Sequence, residues 1–346
     1  MNILVTGGAG FIGSGFVRYV LKHRPQSRVI NFDLLTYAGN LKNVQEVAAD
    51  PRYQFIRGDI ANVDDVRGVF EKNSIDAVVN FAAETHVDRS IEDSLPFVQT
   101  NVMGTRCLLE FARKHAATKF VQISTDEVYG SLGPEGAFRE DSPIDPSSPY
   151  SSSKAGADLL ALSFHKTYGV PVVITRCSNN YGPYQFPEKL IPLMIMNAMD
   201  NRPLPVYGDG RNVREWIFTD EHSRAVLMAL EKGKAGEVYN VGSGYEMPNI
   251  EVVREILRLL GKPESLIKYV KDRPGHDRRY AIDCSKIRRE WNWSAEISFS
   301  EGLAQTIEWY RTSSDWIRDI KDSSYLSYYD RMYTRRDQTL AWSDSE

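Results

Sequence analysis

The sequence predicts an α/β protein: a Rossmann-like, doubly wound parallel sheet with a smaller C-terminal substrate-binding lobe. Three observations predict it. Short apolar runs alternate with helix-period stretches from the first residues to about residue 177. A glycine triplet stands between the first apolar run and the first helix pattern. Polar and acidic residues gather where the apolar runs end, the edge at which such sheets bind ligands.

Composition sets the outer bounds. The 346 residues suffice for one large or two modest domains. A formal net charge of −4 gives no case for binding nucleic acid. The three cysteines, Cys107, Cys177 and Cys284, are too few and too far apart for a disulfide framework or a zinc site. The six histidines are scattered, and no metal-ligand spacing is present. No apolar run approaches the length that spans a bilayer, so no membrane partner is expected. The first residues enter a strand at once, which leads us to expect a cytoplasmic protein without a signal peptide.

Residues 2–6 (Asn2-Ile3-Leu4-Val5-Thr6) read as a buried strand, and a helix pattern runs from the glycines to about His23. Between them lies Gly7-Gly8-Ala9-Gly10-Phe11-Ile12-Gly13. Strand, glycine turn, helix is the setting of a dinucleotide fingerprint: Gly7, Gly10 and Gly13 permit a tight turn against a pyrophosphate, and the helix start, at Phe11 and Ile12, favours that anion. The spacing is G-x-x-G-x-x-G, not the more familiar G-x-G-x-x-G. A second strand, 28–32, ends in Asp33, the position from which a carboxylate holds adenosine ribose hydroxyls. Leu34, Leu35 and Thr36 follow it and no arginine does, so NAD is expected rather than NADP.

The alternation continues. A third strand, 53–56, leads to Asp59 and Ile60, with Asp59 near the adenine. A helix is expected from Val63 to Glu71. A fourth strand, 77–81, runs into Ala82 and Ala83, whose small side chains admit a cofactor, and then into Thr85. A long helix is expected from about Ser94 to His115, carrying Thr100 on the cofactor side. A fifth strand, 120–123, ends in Ser124-Thr125-Asp126-Glu127-Val128-Tyr129-Gly130. The helix from Tyr150 to Tyr168 opens with Tyr150-Ser151-Ser152-Ser153-Lys154, and residues four apart share a helix face. A Tyr-x-x-x-Lys alone is ordinarily a surface pair. Beside a cofactor loop, the lysine is expected to lower the tyrosine's pKa toward that of a useful base. Adjacent Asp126 and Glu127 can act as separate acid and base. A sixth strand, 170–175, leads to Asn179 and Asn180.

Beyond residue 177 prolines and glycines multiply, and residues 178–311 read as a smaller substrate-binding lobe of short elements. Its concentrated polar groups are Lys189, Tyr207, Arg211, Arg214, Asn249, Arg273, His276, Arg278 and Arg279. Arginine forks suit diphosphate oxygens, and the turn at 273–279 is the best anion-site candidate. Residues 312–346 form an extension of unknown role, too aromatic for a solvated tail, with Tyr325, Tyr328, Tyr329, Tyr333 and Trp342.

With these motifs together, the chain resembles the extended short-chain dehydrogenase/reductases that act on nucleotide sugars, over residues 1 to about 311. Thr6 to Gly13 and Tyr150 with Lys154 are shared across that superfamily. Thr125-Asp126-Glu127-Val128-Tyr129-Gly130 is similar to its 4,6-dehydratase branch, and Asp126 is the discriminating residue, because related epimerases lack the acid pair. The resemblance implies dTDP-glucose as substrate and NAD as cofactor. The implied alternatives are another nucleotide sugar such as UDP-glucose, or a non-catalytic NAD or nucleotide-sugar sensor. It further implies that Tyr150, assisted by Lys154 and Thr125, takes the proton from the hydroxyl on carbon 4. Glu127 would remove the proton on carbon 5, and Asp126 would protonate the hydroxyl leaving carbon 6. Gly7, Gly10, Phe11, Ile12, Gly13, Asp33, Leu34, Thr36, Asp59, Ile60, Ala82, Ala83, Thr100, Tyr150, Lys154 and Asn180 would hold the cofactor. Thr85, Thr125, Asn179, Lys189, Leu190, Pro205, Tyr207, Arg214, Asn249, Arg273 and His276 would hold the substrate. Thr85 stands where the family usually has serine. The resemblance also implies a homodimer, paired through the helices at 94–115 and 150–168, with Leu108, Leu109, Leu159, Leu160 and Leu162 as its seam.

Overall fold

The computed structural model describes residues 1–272 and 276–320. Arg273, and the aromatic residues Tyr325, Tyr328, Tyr329, Tyr333 and Trp342, lie outside the described residues.

The chain opens with β1 (Asn2–Thr6), α1 (Phe11–His23), β2 (Arg28–Asp33), β3 (Tyr53–Arg57), α2 (Val63–Lys72) and β4 (Ala77–Asn80). Next come α3 (Val87–Glu92), α4 (Leu95–Phe97), α5 (Thr105–Lys114), β5 (Lys119–Thr125) and α6 (Pro149–Tyr168). β6 (Val172–Cys177) ends the alternating part. The remainder is β7 (Asn179–Tyr181), α7 (Leu190–Met199), β8 (Leu204–Tyr207), β9 (Val213–Phe218), α8 (Thr219–Lys232) and β10 (Val238–Val241). It closes with β11 (Glu246–Pro248), α9 (Asn249–Leu260), β12 (Ile267–Val270), α10 (Ser285–Trp291), α11 (Phe299–Thr312) and α12 (Ser314–Ile320).

A seven-stranded sheet in the order β10-β6-β5-β4-β1-β2-β3 carries the molecule, and every neighbouring pair is parallel. Its first six strands follow the doubly wound order, and the reversal beside β1 is the point where such sheets bind ligands. The strands alternate across two cores. Ile3, Val5 and Val79 face a layer holding Phe16, Val17 and Val20 of α1 and Val226 and Leu230 of α8. Leu4, Val78 and Phe120 face Val66 and Phe70 of α2, Leu108 and Leu109 of α5, and Phe164 of α6. Burial on both faces explains why these strands read as unbroken apolar runs. β10 and α8 show the segment beyond residue 177 returning to the sheet. A third core, with Ile191, Met194, Trp216, Val253 and Leu303, holds the second lobe.

Two expectations change. The long helix at 94–115 is broken: residues Val98–Gly104 form a π-helical turn between α4 and α5. Such widenings often sit at functional sites, and Asn101 inside this one uses its side chain to bond the backbone of Glu84. Leu108 and Leu109 are fully buried within the chain and cannot form a dimer seam. Leu159 is 56% exposed, and Leu160 and Leu162 are half-buried.

Candidate active site

The glycine loop is built by close approach. Gly7 has a φ of +67°, and a β-carbon there would lie 2.6 Å from the Ala82 amide nitrogen. A β-carbon on Gly13 would strike the Gly7 carbonyl. The loop therefore presses α1 against the ends of β1 and β4, a fit only glycine allows. Helix α1 starts without a side-chain cap and without an acid in its first turn. Its amides are left for a ligand, and a phosphate suits them. Asp33 at the end of β2 accepts from the amides of Ala9 (2.9 Å) and Leu35 (2.8 Å).

These groups open onto one cleft along the C-terminal edge of the sheet. All the residues expected to hold the cofactor line it, from Gly7, Gly10, Phe11, Ile12 and Gly13 through Asp33, Leu34, Thr36, Asp59, Ile60, Ala82, Ala83 and Thr100 to Asn180. So do Thr125, Asp126, Glu127, Tyr150 and Lys154, and of the substrate set Thr85, Asn179 and Lys189. Gly loop, carboxylate and small-residue wall fit an adenine dinucleotide: close backbone for the pyrophosphate, Asp33 for the ribose. Leu190, Pro205, Tyr207, Arg214, Asn249 and His276 do not line that cleft. They form a second group beside it on α7, β8, β9, α9 and the loop after residue 275. Arg214 packs 4.3 Å from the centre of the Tyr280 ring and donates to the Asp277 carbonyl at 2.9 Å. Its charge acts on Asp126, and Glu127 acts on Tyr280, so this group adjoins the acid pair.

Helix α6 delivers Tyr150 and Lys154. Ser148 and Ser151 close a capping box, Pro149 occupies the first turn, and Gly169 ends the helix at φ +73°. Tyr150 and Lys154 are both buried. Burial, with Glu127 and Cys177, pushes the Tyr150 hydroxyl well above its usual pKa, against a hydrogen bond with Thr125. This reverses the expected lowering by Lys154. The main cause is burial, with the Glu127 charge second; the Lys154 ammonium donates to the Ile123 carbonyl at 2.6 Å. A cation in the cleft would act in the opposite direction.

Asp126 is 2% exposed. Burial first, then Glu127 and Glu215, raise its carboxyl well above the carboxylate range. One oxygen accepts from Thr125 at 3.2 Å, and Oδ2 has no protein partner among the described residues. An acid whose pKa is raised by burial, with one oxygen left without a partner among the described residues, is suited to donating a proton.

Several site groups were not foreseen. Asn101 donates to Ser153 of α6 at 2.8 Å, tying the π turn to the catalytic helix. Asp158 accepts from Ser124 and Arg176, both at 3.0 Å, and lies one turn beyond Lys154. Its i+4 spacing from Lys154 was the legible signal. On another wall, Tyr37 donates to Glu188 at 3.0 Å while Arg89 lies 3.9 Å from the Tyr37 ring centre. Burial lowers nearby His86 to a pKa of about 4, so it is neutral at pH 7.

The comparisons with known proteins agree with this geometry. The family model described as GDP-mannose 4,6 dehydratase matches residues 4–306. A dTDP-glucose 4,6-dehydratase from Streptomyces niveus is 51% identical over 325 residues, covering 93% of this chain and 96% of that protein. The crystal structure of a dTDP-glucose 4,6-dehydratase from Bacillus anthracis in complex with NAD is 51% identical. It covers 93% of this chain and 100% of that one, with a TM-score of 0.88. A UDP-glucose 4-epimerase from Thermotoga maritima shares the fold at a TM-score of 0.85 but only 29% identity, over 91% of this chain and 100% of its own.

Proposed function

The chain belongs to the GDP-mannose 4,6 dehydratase family, and from that premise we infer that it is an NAD-dependent dehydratase of dTDP-glucose. The product is the 4-keto-6-deoxy sugar nucleotide plus water. The observation that carries this reading is the buried Asp126 beside Glu127, in one cleft with Tyr150 and a dinucleotide loop. About half-identity to curated dTDP-glucose 4,6-dehydratases over nearly the whole chain supports the substrate.

When bound, NAD supplies a reversible hydride acceptor, taking hydride from carbon 4 and returning it to carbon 6. The chain's own residues handle protons. Tyr150 accepts the carbon-4 hydroxyl proton as its phenolate, with Thr125 bonded to its oxygen. Lys154, one turn along the helix, and the positive charge of bound oxidised NAD would favour that form against the burial that raises its pKa. The ketone acidifies carbon 5, whose proton Glu127 removes. Asp126, whose pKa burial raises, gives its proton to the hydroxyl leaving carbon 6 as water. Returning a proton to carbon 5 closes the cycle with no net redox change. Gly7, Gly10, Phe11, Ile12, Gly13, Asp33, Leu34, Thr36, Asp59, Ile60, Ala82, Ala83, Thr100 and Asn180 hold the cofactor. Thr85, Asn179, Lys189 and the group of Leu190, Pro205, Tyr207, Arg214, Asn249 and His276 hold the nucleotide sugar.

The working unit is a homodimer in the cytoplasm. Leu95, Val98, Met103 and Leu159 are exposed on α4, the π turn and α6, and offer an apolar face to a second copy. Among the described residues no helix is long and apolar enough to cross a membrane. Incubation with dTDP-glucose and, in parallel, UDP-glucose tests the reading: rapid keto-sugar formation from the first is expected. Exclusive turnover of the second would reassign the nucleotide, and turnover of neither would favour a sensor.

A further inference from the structure

The role of the segment beyond residue 311 was the question the motifs left open, and its described part ends beside the cofactor loop. Helix α12 places Trp316 in the interior, where its indole N–H donates to Asn43 Oδ1 at 2.7 Å. Asn43 lies in the 3₁₀ turn Leu41–Val47 that follows the Asp33 loop. Its other side-chain atom, Nδ2, donates to the Ala9 carbonyl at 2.8 Å. Ala9 is the residue inside the glycine loop whose amide donates to Asp33 at 2.9 Å. All three bonds are buried.

The direction of the chain matters. Indole N–H can only donate. By donating to Oδ1 it fixes which end of the Asn43 amide faces Ala9. The NH₂ end must then point at the Ala9 carbonyl, while Asp33 holds the same residue by its N–H. Ala9 is gripped at both ends, and the loop's position relative to Asp33 is set. The Asn40 amide also donates to the Ala9 carbonyl, at 3.0 Å, so the grip is shared. Trp316 is fastened independently: its ring packs 4.9 Å from Trp309 and 6.3 Å from Tyr184, centre to centre.

We propose that Trp316 is a positioning residue for cofactor binding, acting through Asn43 on the Ala9 peptide of the dinucleotide loop. The proposal rests on the reading that the cleft binds NAD. Trp316 touches no part of the cleft itself. Its loss would leave Asn43 free to turn its amide and would loosen the loop, without removing any group that meets the cofactor.

The test is equilibrium titration of the full-length, NAD-stripped protein with NAD, alongside its thermal unfolding. Trp316→Phe keeps an aromatic ring in place and deletes the indole donor, at the cost of some volume that Trp309→Phe controls for. It should raise the NAD dissociation constant about fivefold or more, in the range of ordinary coupling between sites. Trp309→Phe, in the same aromatic cluster but outside the chain of bonds, should leave NAD binding unchanged. Asn43→Ala should weaken NAD at least as much as Trp316→Phe, and the double variant should be no weaker than Asn43→Ala alone. Should Trp316→Phe fail to fold, Asn43→Asp carries the test, because it still accepts from Trp316 but cannot donate to Ala9; it too should bind NAD more weakly. Wild-type affinity in Trp316→Phe or in Asn43→Asp would overturn the proposal. So would effects of the two single changes that multiply in the double variant, or an equal loss in Trp309→Phe. A wild-type protein that binds no NAD would instead overturn the cofactor reading itself, and the proposal with it.

Discussion

Asp126→Asn replaces a buried carboxylic acid by a neutral group of the same shape, and two independent effects follow. The first is thermodynamic. An unfolded aspartate titrates near 3.9, and burial beside Glu127 and Glu215 raises the folded value. Below pH 4 both states are protonated and the group imposes no penalty. Above it the unfolded chain gains by ionising while the native one does not. Native stability therefore declines by about 1.4 kcal/mol for each pH unit until the folded pKa is passed. The asparagine variant lacks this penalty. Chemical denaturation at pH 4 and pH 8 should show the variant gaining on the wild type as pH rises. The second effect is kinetic. Removing one general acid should slow elimination roughly 10²–10⁴-fold, while oxidation at carbon 4 continues. Stopped-flow absorbance should then show NADH accumulating before slow product formation. A stability difference that does not change between pH 4 and pH 8 would mean Asp126 is ionised in the native protein, and its assignment as proton donor would be wrong.

Tyr150→Phe should remove the acceptor of the carbon-4 hydroxyl proton, so NADH should barely form with substrate; formation at the wild-type rate would assign that proton elsewhere. Asp33→Ala deletes the acceptor of the Ala9 and Leu35 amides and should weaken NAD binding in titrations, whereas equal wild-type affinity for NAD and NADP would remove the stated reason for NAD. Asp158→Ala leaves Arg176 buried without its carboxylate. The expected loss is about 3–5 kcal/mol in urea unfolding, and a loss below 1 kcal/mol would show that the pair is not needed. Leu159→Asp places a charge on the exposed face of α6 and should convert a dimer to monomers in sedimentation. A persistent dimer would move the interface off that face.

The sheet was legible because its strands are buried on both sides. Runs such as Ile3-Leu4-Val5 and Val78-Val79 carry no polar interruptions, and each leads within two residues to the cleft, at Gly7 and Phe81. The acid pair and the Tyr–Lys spacing were legible for a related reason: chemistry compels particular residue types at strand ends and one turn apart. What escaped depended on distance in the chain. In the broken helix at 94–115, Pro96 sits in the first turn, where a helix tolerates it, and Gly104 closes the π turn, so neither marks a break at Val98. That break coincides with the bonds of Asn101 to Glu84 and Ser153, partners 17 and 52 residues away. Leu108 and Leu109 read as a seam because helix periodicity marks an apolar face without saying what covers it; here α2 and the sheet do. The direction of the Tyr150 shift also depended on packing. Spacing placed Lys154 beside it, but only the fold shows how deeply the hydroxyl is buried, with Glu127 beside it.

The most direct test of the central claim follows the hydrogen on carbon 4. The purified protein is given dTDP-glucose carrying deuterium at that carbon, and the product is read by mass spectrometry and NMR. The account predicts a 4-keto-6-deoxy sugar with the deuterium on carbon 6, a solvent-derived proton on carbon 5, and no net NADH. Deuterium lost to solvent, or found still on carbon 4 of an epimerised sugar, would contradict it.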